Sequence, residues 1–238
     1  SLFEELEFKT ILPRILGSGT TPNKPIDKLE KKAPEKLPET VEPTAQFDLF
    51  SQPATAIPVE VKTSYFELIT ENNQLKKLQI AIKKTGQFSF QIITDTKEAL
   101  TTKIIGFSLS YTRDDGFYLP FNTETGKLIK SLLENKKISK IGYDLKFAIK
   151  VLSREGIEVL GALFDVQIAH YLLHPDMRHA LDIISDNYLN KIMIKEQSLL
   201  GKGKTKVKIS TLTPELITDF AAEKASIIFN LSTIFEKE

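Results

Sequence analysis

The chain contains no cysteine and no tryptophan, and its charges nearly cancel. Because cysteine is absent, disulfide bonds and thiolate metal ligands are excluded, which fits a cytoplasmic protein. With 32 Lys and Arg against 31 Asp and Glu, the chain lacks an overall basic excess, so any contact with nucleic acid must come from local patches. No uncharged apolar run approaches the ~20 residues that span a bilayer, and no signal-peptide core is visible, so we expect no membrane partner.

What is present is the composition of a soluble globular protein. Hydrophobic residues make up 41% of the 238 residues and charged residues 26%, enough for one substantial domain with additional segments. The chain begins at Ser1 rather than Met and ends in a charged helical pattern, so we expect it to be a piece of a longer protein.

Composition divides the chain into three segments. Residues 1–16 carry apolar side chains at helical spacing, interrupted by Pro13, and predict a helix too short to bury its apolar face alone. Residues 17–58 hold most of the eleven prolines together with Thr, Lys and Glu, which is the composition of an extended linker. The globular domain is predicted over residues 59–238.

Hydrophobic periodicity within the globular domain predicts an α/β fold. Strands are predicted at 65–70, 87–94, 104–111, 116–121, 137–142 and 162–165. Helices are predicted at 71–84, 123–133, 145–152, 165–173, 180–189 and 214–235, the last with Thr213 as its cap. Antiparallel strands followed by alternating helices and strands indicate a mixed β-sheet flanked by helices.

Several local sequences in this order resemble the 3′–5′ exonuclease domain of family A DNA polymerases. The matching stretches are IIGFSLSY with GFYLPF, KIGYDLKFAIKVLSREGIEVLGALFDVQIAHYLL, RHALDIISDNYL, the GKGK loop and FAAEKA. The resemblance implies a ribonuclease H-like fold. In addition, LFEELEFKTIL resembles the last helix of the 5′ nuclease domain that precedes the exonuclease domain in the bacterial family. The implied partners are therefore DNA and the polymerase and 5′ nuclease domains of the same chain.

The resemblance also implies where a nuclease site would lie. Proofreading exonucleases hydrolyse a terminal phosphodiester with two divalent ions, and such hard cations need anionic oxygen ligands. The family supplies four carboxylates and a Tyr that orients the attacking water. Here the Asp-x-Glu strand falls on Gln91 and Ile93, and the Asp of the following motif falls on Ala148.

The last family motif is substituted as well. The water-orienting Tyr falls on Phe220 and the final Asp on Lys224. An ammonium at ~4 Å from a unit charge adds about 4 kcal/mol of repulsion at an effective dielectric of 20, and more toward a divalent ion. We therefore predict no catalytic residue, no metal site, no cofactor and no cutting of DNA. A subsidiary hypothesis places the Lys224 ammonium in the former metal volume, paired with a neighbouring carboxylate.

Two alternatives compete with this prediction. One is an active nuclease that uses displaced carboxylates, of which Asp95, Asp144 and Glu223 are nearest in sequence. The other is an interaction module without an attached polymerase. The leading prediction remains that the domain gives structural support to the polymerase, with possible weak DNA contact.

A basic loop provides the candidate DNA contacts. Lys202, Lys204, Lys206 and Lys208 lie within seven residues, and Arg178 precedes a predicted helix where the family contacts a frayed primer strand. A flexible solvated loop would explain the same pattern, whereas weak phosphate contact is the functional interpretation.

Two further groups could be taken for metal ligands. His170 and His174 are four residues apart on a predicted helix, but no motif places a third ligand beside them. Asp165 falls on a structural Asp of the family, and we interpret it as a helix cap rather than a ligand.

Overall fold

The computed structural model describes residues 65–238, apart from the side chain of Lys204. The predictions for residues 1–16 and 17–58, and the first residues of the predicted domain, lie outside this range. No helix within the described range is long and apolar enough to cross a membrane.

Six strands form one mixed sheet, as the sequence predicts. They are β1 (Tyr65–Leu68), β2 (Gln87–Thr94), β3 (Ile104–Ser110), β4 (Asp115–Pro120), β5 (Ser139–Gly142) and β6 (Leu163–Asp165). Their order across the sheet is β1-β4-β3-β2-β5-β6. The β2–β3–β4 segment is antiparallel, whereas β1 pairs with β4 in parallel and β5 and β6 extend the other side in parallel.

Seven α-helices surround the described part of the sheet. They are α1 (Asn72–Thr85), α2 (Thr123–Leu133), α3 (Leu145–Arg154), α4 (Val166–Leu173), α5 (Leu181–Leu189), α6 (Glu196–Leu200) and α7 (Pro214–Phe235). Six of these match predicted helices within two residues at each end. The short α6 was not predicted, because one and a half turns show no apolar period.

Alternation along β2 separates the two faces of the sheet. Phe88, Phe90 and Ile92 are buried against the apolar faces of α1, α2 and α3, in a cluster we call the back core. The intervening residues of β2 point to the opposite face, which α7 crosses. Along α1 the back core takes Leu75, Leu78 and Ile82, which is the helical period expected of an amphipathic helix.

Small residues bring α7 close to the sheet. A Cβ at Gly116 on β4 would collide with the backbone carbonyl of Ala222, so no larger residue fits there. The buried Ser89 hydroxyl on β2 donates to the Ala225 carbonyl at 2.6 Å. This contact explains why α7 is buried along most of its length and why its FAAEKA segment carries alanines.

The predicted cap of α7 is confirmed in its position but not in its side-chain hydrogen bond. Thr213 does occupy the N-cap position and Pro214 the first turn, but the Thr213 side chain makes no capping hydrogen bond. The start of α7 is instead favoured by Pro214. Its fixed φ suits the first helical position, and because it has no N–H, one fewer backbone donor needs an acceptor.

Candidate functional site

Gln91 and Ile93 lie on β2, on the face that α7 covers. Ile93 is 4% exposed and pairs with Gly106 of β3, directly beside a β-bulge between Ile93 and Thr94. The amide Oε1 of Gln91 is buried and accepts no hydrogen bond from any described residue. β-Bulges often lie next to active sites, where they re-aim side chains. Here the extra residue of the bulge, Ile105, lies on β3, while Gln91 and Ile93 keep their register and carry an amide and a hydrocarbon side chain.

An apolar cluster fills the space between β2 and α7 at this point. We call it the apolar plug, and its buried members are Ile93, Tyr118, Leu200, Ile209, Ile217, Phe220 and Ala221. The Tyr118 ring lies against Gly106, since a Cβ there would come within 2.6 Å of the ring. Burial raises the pKa of the Tyr118 hydroxyl to about 12. The plug thus contains both Ile93 and Phe220, two of the predicted positions.

Lys224 places its ammonium over an aromatic ring rather than beside a carboxylate. Its Nζ is 3.9 Å from the centroid of the Phe220 ring, one helical turn earlier on α7. Within residues 65–238, Lys224 makes no ion pair. The hypothesis that it pairs with a neighbouring carboxylate is therefore wrong for the described residues. Desolvation lowers the pKa of Lys224 to about 8, although Glu196 and Glu223 oppose that shift.

Ala148 lies apart from the other substituted positions. It is 3% exposed and packs in the back core, on α3. Two carboxylates organise the start of that helix: Asp144 caps it with a left-handed backbone (φ 54°) and accepts from the Phe147 amide at 3.2 Å. Asp165 accepts from the Leu145 amide at 2.7 Å.

Asp165 acts as a helix cap, as predicted. Its second oxygen accepts from the Gln167 amide at 2.9 Å and from the Ile168 amide at 3.3 Å, at the start of α4. The Asp165 carboxylate thus accepts from backbone amides at the beginnings of both α3 and α4. Both of its oxygens are used in these structural hydrogen bonds.

The remaining displaced carboxylates are also held by backbone. Glu223 is 5% exposed, accepts from the Ile194 amide at 2.7 Å and lies 3.8 Å from the Lys191 ammonium. Asp95 accepts from the Thr102 hydroxyl and the Lys103 amide, both at 2.8 Å, and the Lys103 bond chiefly lowers its pKa. Across residues 65–238, no three His, Asp or Glu side chains are grouped in a way that could hold a metal ion.

The basic loop surrounds one glutamate. Glu196, at the start of α6, lies 3.1 Å from the Lys206 ammonium and 3.8 Å from that of Lys97. A cavity of about 240 Å³ opens beside this group and includes Lys202 and Lys206 in its lining. Lys204 lies in the 3₁₀ turn Gly203–Thr205 between them. The structure therefore gathers Lys97 and Lys206 at one carboxylate, a convergence the sequence did not indicate.

Arg178 is exposed in the loop between α4 and α5. The neighbouring residue, His179, is anchored: its carbonyl accepts from the Tyr143 hydroxyl at 2.8 Å. Arg178 is therefore not brought together with the lysines of the basic loop by any described contact.

All three histidines of the chain meet behind this loop. The Nδ1 atoms of His170 and His179 are 2.7 Å apart, and His170 is fully buried against Tyr188 and Phe235. The sequence separates His179 from the other two by a loop, so its place in the group could not be read from helical spacing. A 2.7 Å contact between two ring nitrogens requires one to donate and the other to accept.

A family model described as "DNA polymerase I, ribonuclease H-like domain" matches residues 90–231, a range that includes Gln91, Ile93, Ala148, Phe220 and Lys224. That range is more than half of the chain. The chain belongs to this family.

Relatives of the family match the chain over much or all of its length. DNA polymerase I of Borreliella burgdorferi is 29% identical over 191 residues, covering 76% of this chain and 20% of the relative. DNA polymerase I of Chloroflexus aurantiacus is 24% identical and covers all of this chain and 26% of the relative. The chain thus spans about a fifth to a quarter of the length of these relatives.

Solved structures confirm the ribonuclease H-like exonuclease fold. Escherichia coli RNase D, an exoribonuclease, superposes with a TM-score of 0.58 at 14% identity, over 72% of this chain and 44% of that one. The Pol1 polymerase domain of M. smegmatis, in complex with a DNA primer-template, gives 0.56 at 17% identity, over 71% and 27%. At these identities, the similarity to the solved structures establishes only the fold of the domain. The family model confirms the resemblance to the exonuclease domain of DNA polymerase I.

Proposed function

We propose that this domain is a non-cleaving exonuclease-like domain that supports a DNA polymerase and holds DNA weakly. The observation that carries this proposal is the apolar plug: Ile93 and Phe220 belong to one buried apolar cluster, at two positions where the resemblance places a carboxylate and a hydroxyl. A divalent ion cannot replace its hydration shell with hydrocarbon, since hard cations need oxygen ligands.

The positive charge of Lys224 also opposes a metal site. The only cationic substitution, Lys224, stands where the resemblance places an acid, and its ammonium is held on the Phe220 ring. Bringing a divalent ion near that ammonium would cost several kcal/mol even at an effective dielectric of ~20. The ring contact and the missing carboxylates act in the same direction.

Displaced carboxylates offer no evident replacement site. Asp95, Asp144 and Glu223 each accept a hydrogen bond from a backbone amide. Releasing a buried carboxylate such as Glu223 to bind metal would leave the Ile194 amide without its acceptor, at a cost of about 1–3 kcal/mol. This argues against the alternative of an active nuclease.

Weak DNA contact is proposed at the basic loop and at Arg178. Lys202 and Lys206 border the cavity beside Glu196, and Lys204 lies between them in the chain. Such lysines bind phosphates without reading sequence, and their binding falls steeply as salt releases its counterions. We expect single-stranded DNA to bind with a salt-dependent affinity that decreases when Lys202 and Lys206 are both changed to Gln.

The relatives suggest the context in which this domain works. The matched relatives are DNA polymerases I, several times longer than this chain. We infer that the domain forms part of a cytoplasmic DNA polymerase of replication and repair, next to polymerase and 5′ nuclease domains. Sequencing the reading frame on both sides tests this inference, and the absence of polymerase motifs would contradict it.

A nuclease assay tests the loss of cutting directly. The chain is incubated with single-stranded DNA labelled at its 5′ end, in the presence of either Mg²⁺ or Mn²⁺. The products are separated at single-nucleotide resolution, so that any shortening from the 3′ end is seen. We expect no metal-dependent shortening. Shortening that Asp144→Ala abolishes and the exposed control Asp176→Ala leaves intact would instead establish an active nuclease with displaced carboxylates.

A further inference from the structure

The three helices of the back core carry almost only positive charge on their outer side. Nine Lys and Arg residues and one acidic residue lie within α1, α2 and α3. The cations are Lys76, Lys77, Lys83, Lys84, Lys127, Lys130, Lys146, Lys150 and Arg154, all exposed. By contrast, α5 carries two Asp and no cation, and α7 carries three acids and one Lys. A near-neutral chain therefore has one strongly basic face.

Helical geometry arranges these cations in rows that point to solvent. On α1, Lys76 and Lys83 share one row and Lys77 and Lys84 another, because residues seven apart lie two turns, or about 10.5 Å, along the same side. On α3, Lys146, Lys150 and Arg154 follow at intervals of four. Because the opposite sides of both helices are buried in the back core, both rows lie on the outer side of the same helical layer.

Few of these charges are neutralised by described acids. Lys127 pairs with Glu124 at 2.9 Å and Lys130 with Glu134 at 2.7 Å. Arg154 is held by the Ala99 and Thr102 carbonyls. The other six cations of this face, on α1 and α3, make no ion pair within residues 65–238.

Helix stability does not explain the rows. Lys83 and Lys84 lie in the last turn of α1, where the helix dipole favours a cation. Lys146, however, lies in the first turn of α3, where the helix dipole disfavours a cation, although the Asp144 and Asp165 carboxylates accept from amides at the same helix start. Like charges clustered on one surface repel one another, and binding of an anionic partner would reduce this repulsion.

We propose that the outer surface of α1, α2 and α3 binds the phosphate backbone of duplex DNA. This surface lies on the other side of the sheet from α7 and the apolar plug, so it is separate from the proposed loop contacts. Duplex fits better than single-stranded DNA, because single-strand sites combine cations with exposed aromatic rings for base stacking. Within these three helices the exposed large apolar side chain is Ile80, and no aromatic side chain is exposed.

Binding of the 238-residue chain to a short blunt duplex, followed by fluorescence anisotropy across a range of salt concentrations, tests the proposal. The variant changes Lys77, Lys84, Lys146 and Lys150 to Gln, and the matched control changes the same four to Arg. If all four contact phosphates, the slope of log affinity against log salt falls by about 3.6, and affinity at low salt falls at least tenfold. The Arg control should retain the wild-type slope.

Three outcomes would overturn the proposal. The first is unchanged duplex binding by the Gln variant, provided that circular dichroism shows it to be folded. The second is an equal loss of duplex affinity when only Lys202 and Lys206 are changed to Gln, and the third is stronger competition by polyglutamate than by unlabelled duplex. The last result would assign the face to an acidic protein segment. Nuclease activity, if found, would contradict the proposed loss of cutting and leave this surface to be judged by the binding data alone.

Discussion

The ammonium of Lys224 lies 3.9 Å from the centroid of the Phe220 ring. The contact joins the two positions of α7 where the resemblance places an acid and a hydroxyl, so both residues belong to one local arrangement. A cation on an aromatic face is stabilised by about 0.5–2 kcal/mol. Desolvation nevertheless lowers the pKa of Lys224 to about 8, which means that the charged form is held at a net cost.

Replacing Lys224 by Met should therefore stabilise the domain. Met retains the length and packing of the side chain without the buried charge, and we expect the free energy of unfolding at pH 7 to rise by about 1 kcal/mol. Because the folded pKa lies below the unfolded value of about 10.5, wild-type stability should rise between pH 8 and pH 10, and the variant should lack this rise. Urea unfolding at several pH values measures both effects.

Lys208→Met is the matched control, since Lys208 is exposed in the basic loop. It should change the free energy of unfolding by less than about 0.5 kcal/mol. Equal effects of the two substitutions would show that the ring contact balances desolvation, and a loss of stability in Lys224→Met would show that it outweighs desolvation.

Close packing between β4 and α7 gives a second prediction. Gly116→Ala should lower the free energy of unfolding by about 2–3 kcal/mol, because the added methyl meets the rigid backbone carbonyl of Ala222. Thermal unfolding monitored by circular dichroism measures the loss.

Gly126→Ala serves as the comparison, because Gly126 lies inside α2 and a Cβ there meets only the end of the Phe121 ring at 3.3 Å. Helix propensity favours Ala by about 1 kcal/mol, so this variant should be neutral or slightly more stable. If Gly116→Ala were as neutral as Gly126→Ala, α7 would be able to move away from β4.

The elements of the fold could be predicted because each is long enough to show its period. The 22 residues of α7 were bounded correctly from Pro214 to Phe235, whereas the five residues of α6 were missed. The cap at Thr213 was predicted from residue type alone. Thr213 occupies the N-cap position, but its side chain makes no capping hydrogen bond. Local patterns thus specify helices and strands more reliably than the hydrogen bonds at their ends.

The site was harder to predict, because its content depends on contacts between distant segments. Family motifs located Ile93 and Phe220, but only the fold shows that they join Leu200 and Ile209 in one apolar cluster. The sequence likewise gave no reason to connect Glu223 with Ile194, 29 residues away. Such pairings follow from how α7 crosses the sheet, which no single-segment period encodes.

The contact between Glu223 and Ile194 is itself testable. Glu223→Ala should lower the free energy of unfolding by about 2 kcal/mol, because it leaves a buried amide without an acceptor and Lys191 without its partner. The exposed Glu236→Ala should have little effect. Adding Mn²⁺ should stabilise neither the wild type nor the variants. Stabilisation of the wild type by Mn²⁺, lost in Glu223→Ala, would show instead that this carboxylate binds metal.

The histidine group makes domain stability depend on pH. Burial lowers the pKa of His170, and the nearby His179 and His174 lower it further. Below the unfolded value of about 6.5, the unfolded chain takes up a proton at this residue that the folded chain resists. The free energy of unfolding should therefore fall as the pH decreases from about 7 toward 5.

His170→Phe removes the titrating group and keeps a ring between Tyr188 and Phe235, the residues that face it from α5 and α7. We expect a flatter dependence of unfolding free energy on pH in this variant, whereas His174→Gln, which leaves the buried imidazole in place, should keep most of the acid sensitivity. NMR titration of the imidazole protons provides a direct check, since the His170 resonance should shift at lower pH than a free histidine. A His170 resonance that titrates normally, or identical pH profiles for wild type and His170→Phe, would place the acid sensitivity elsewhere in the domain.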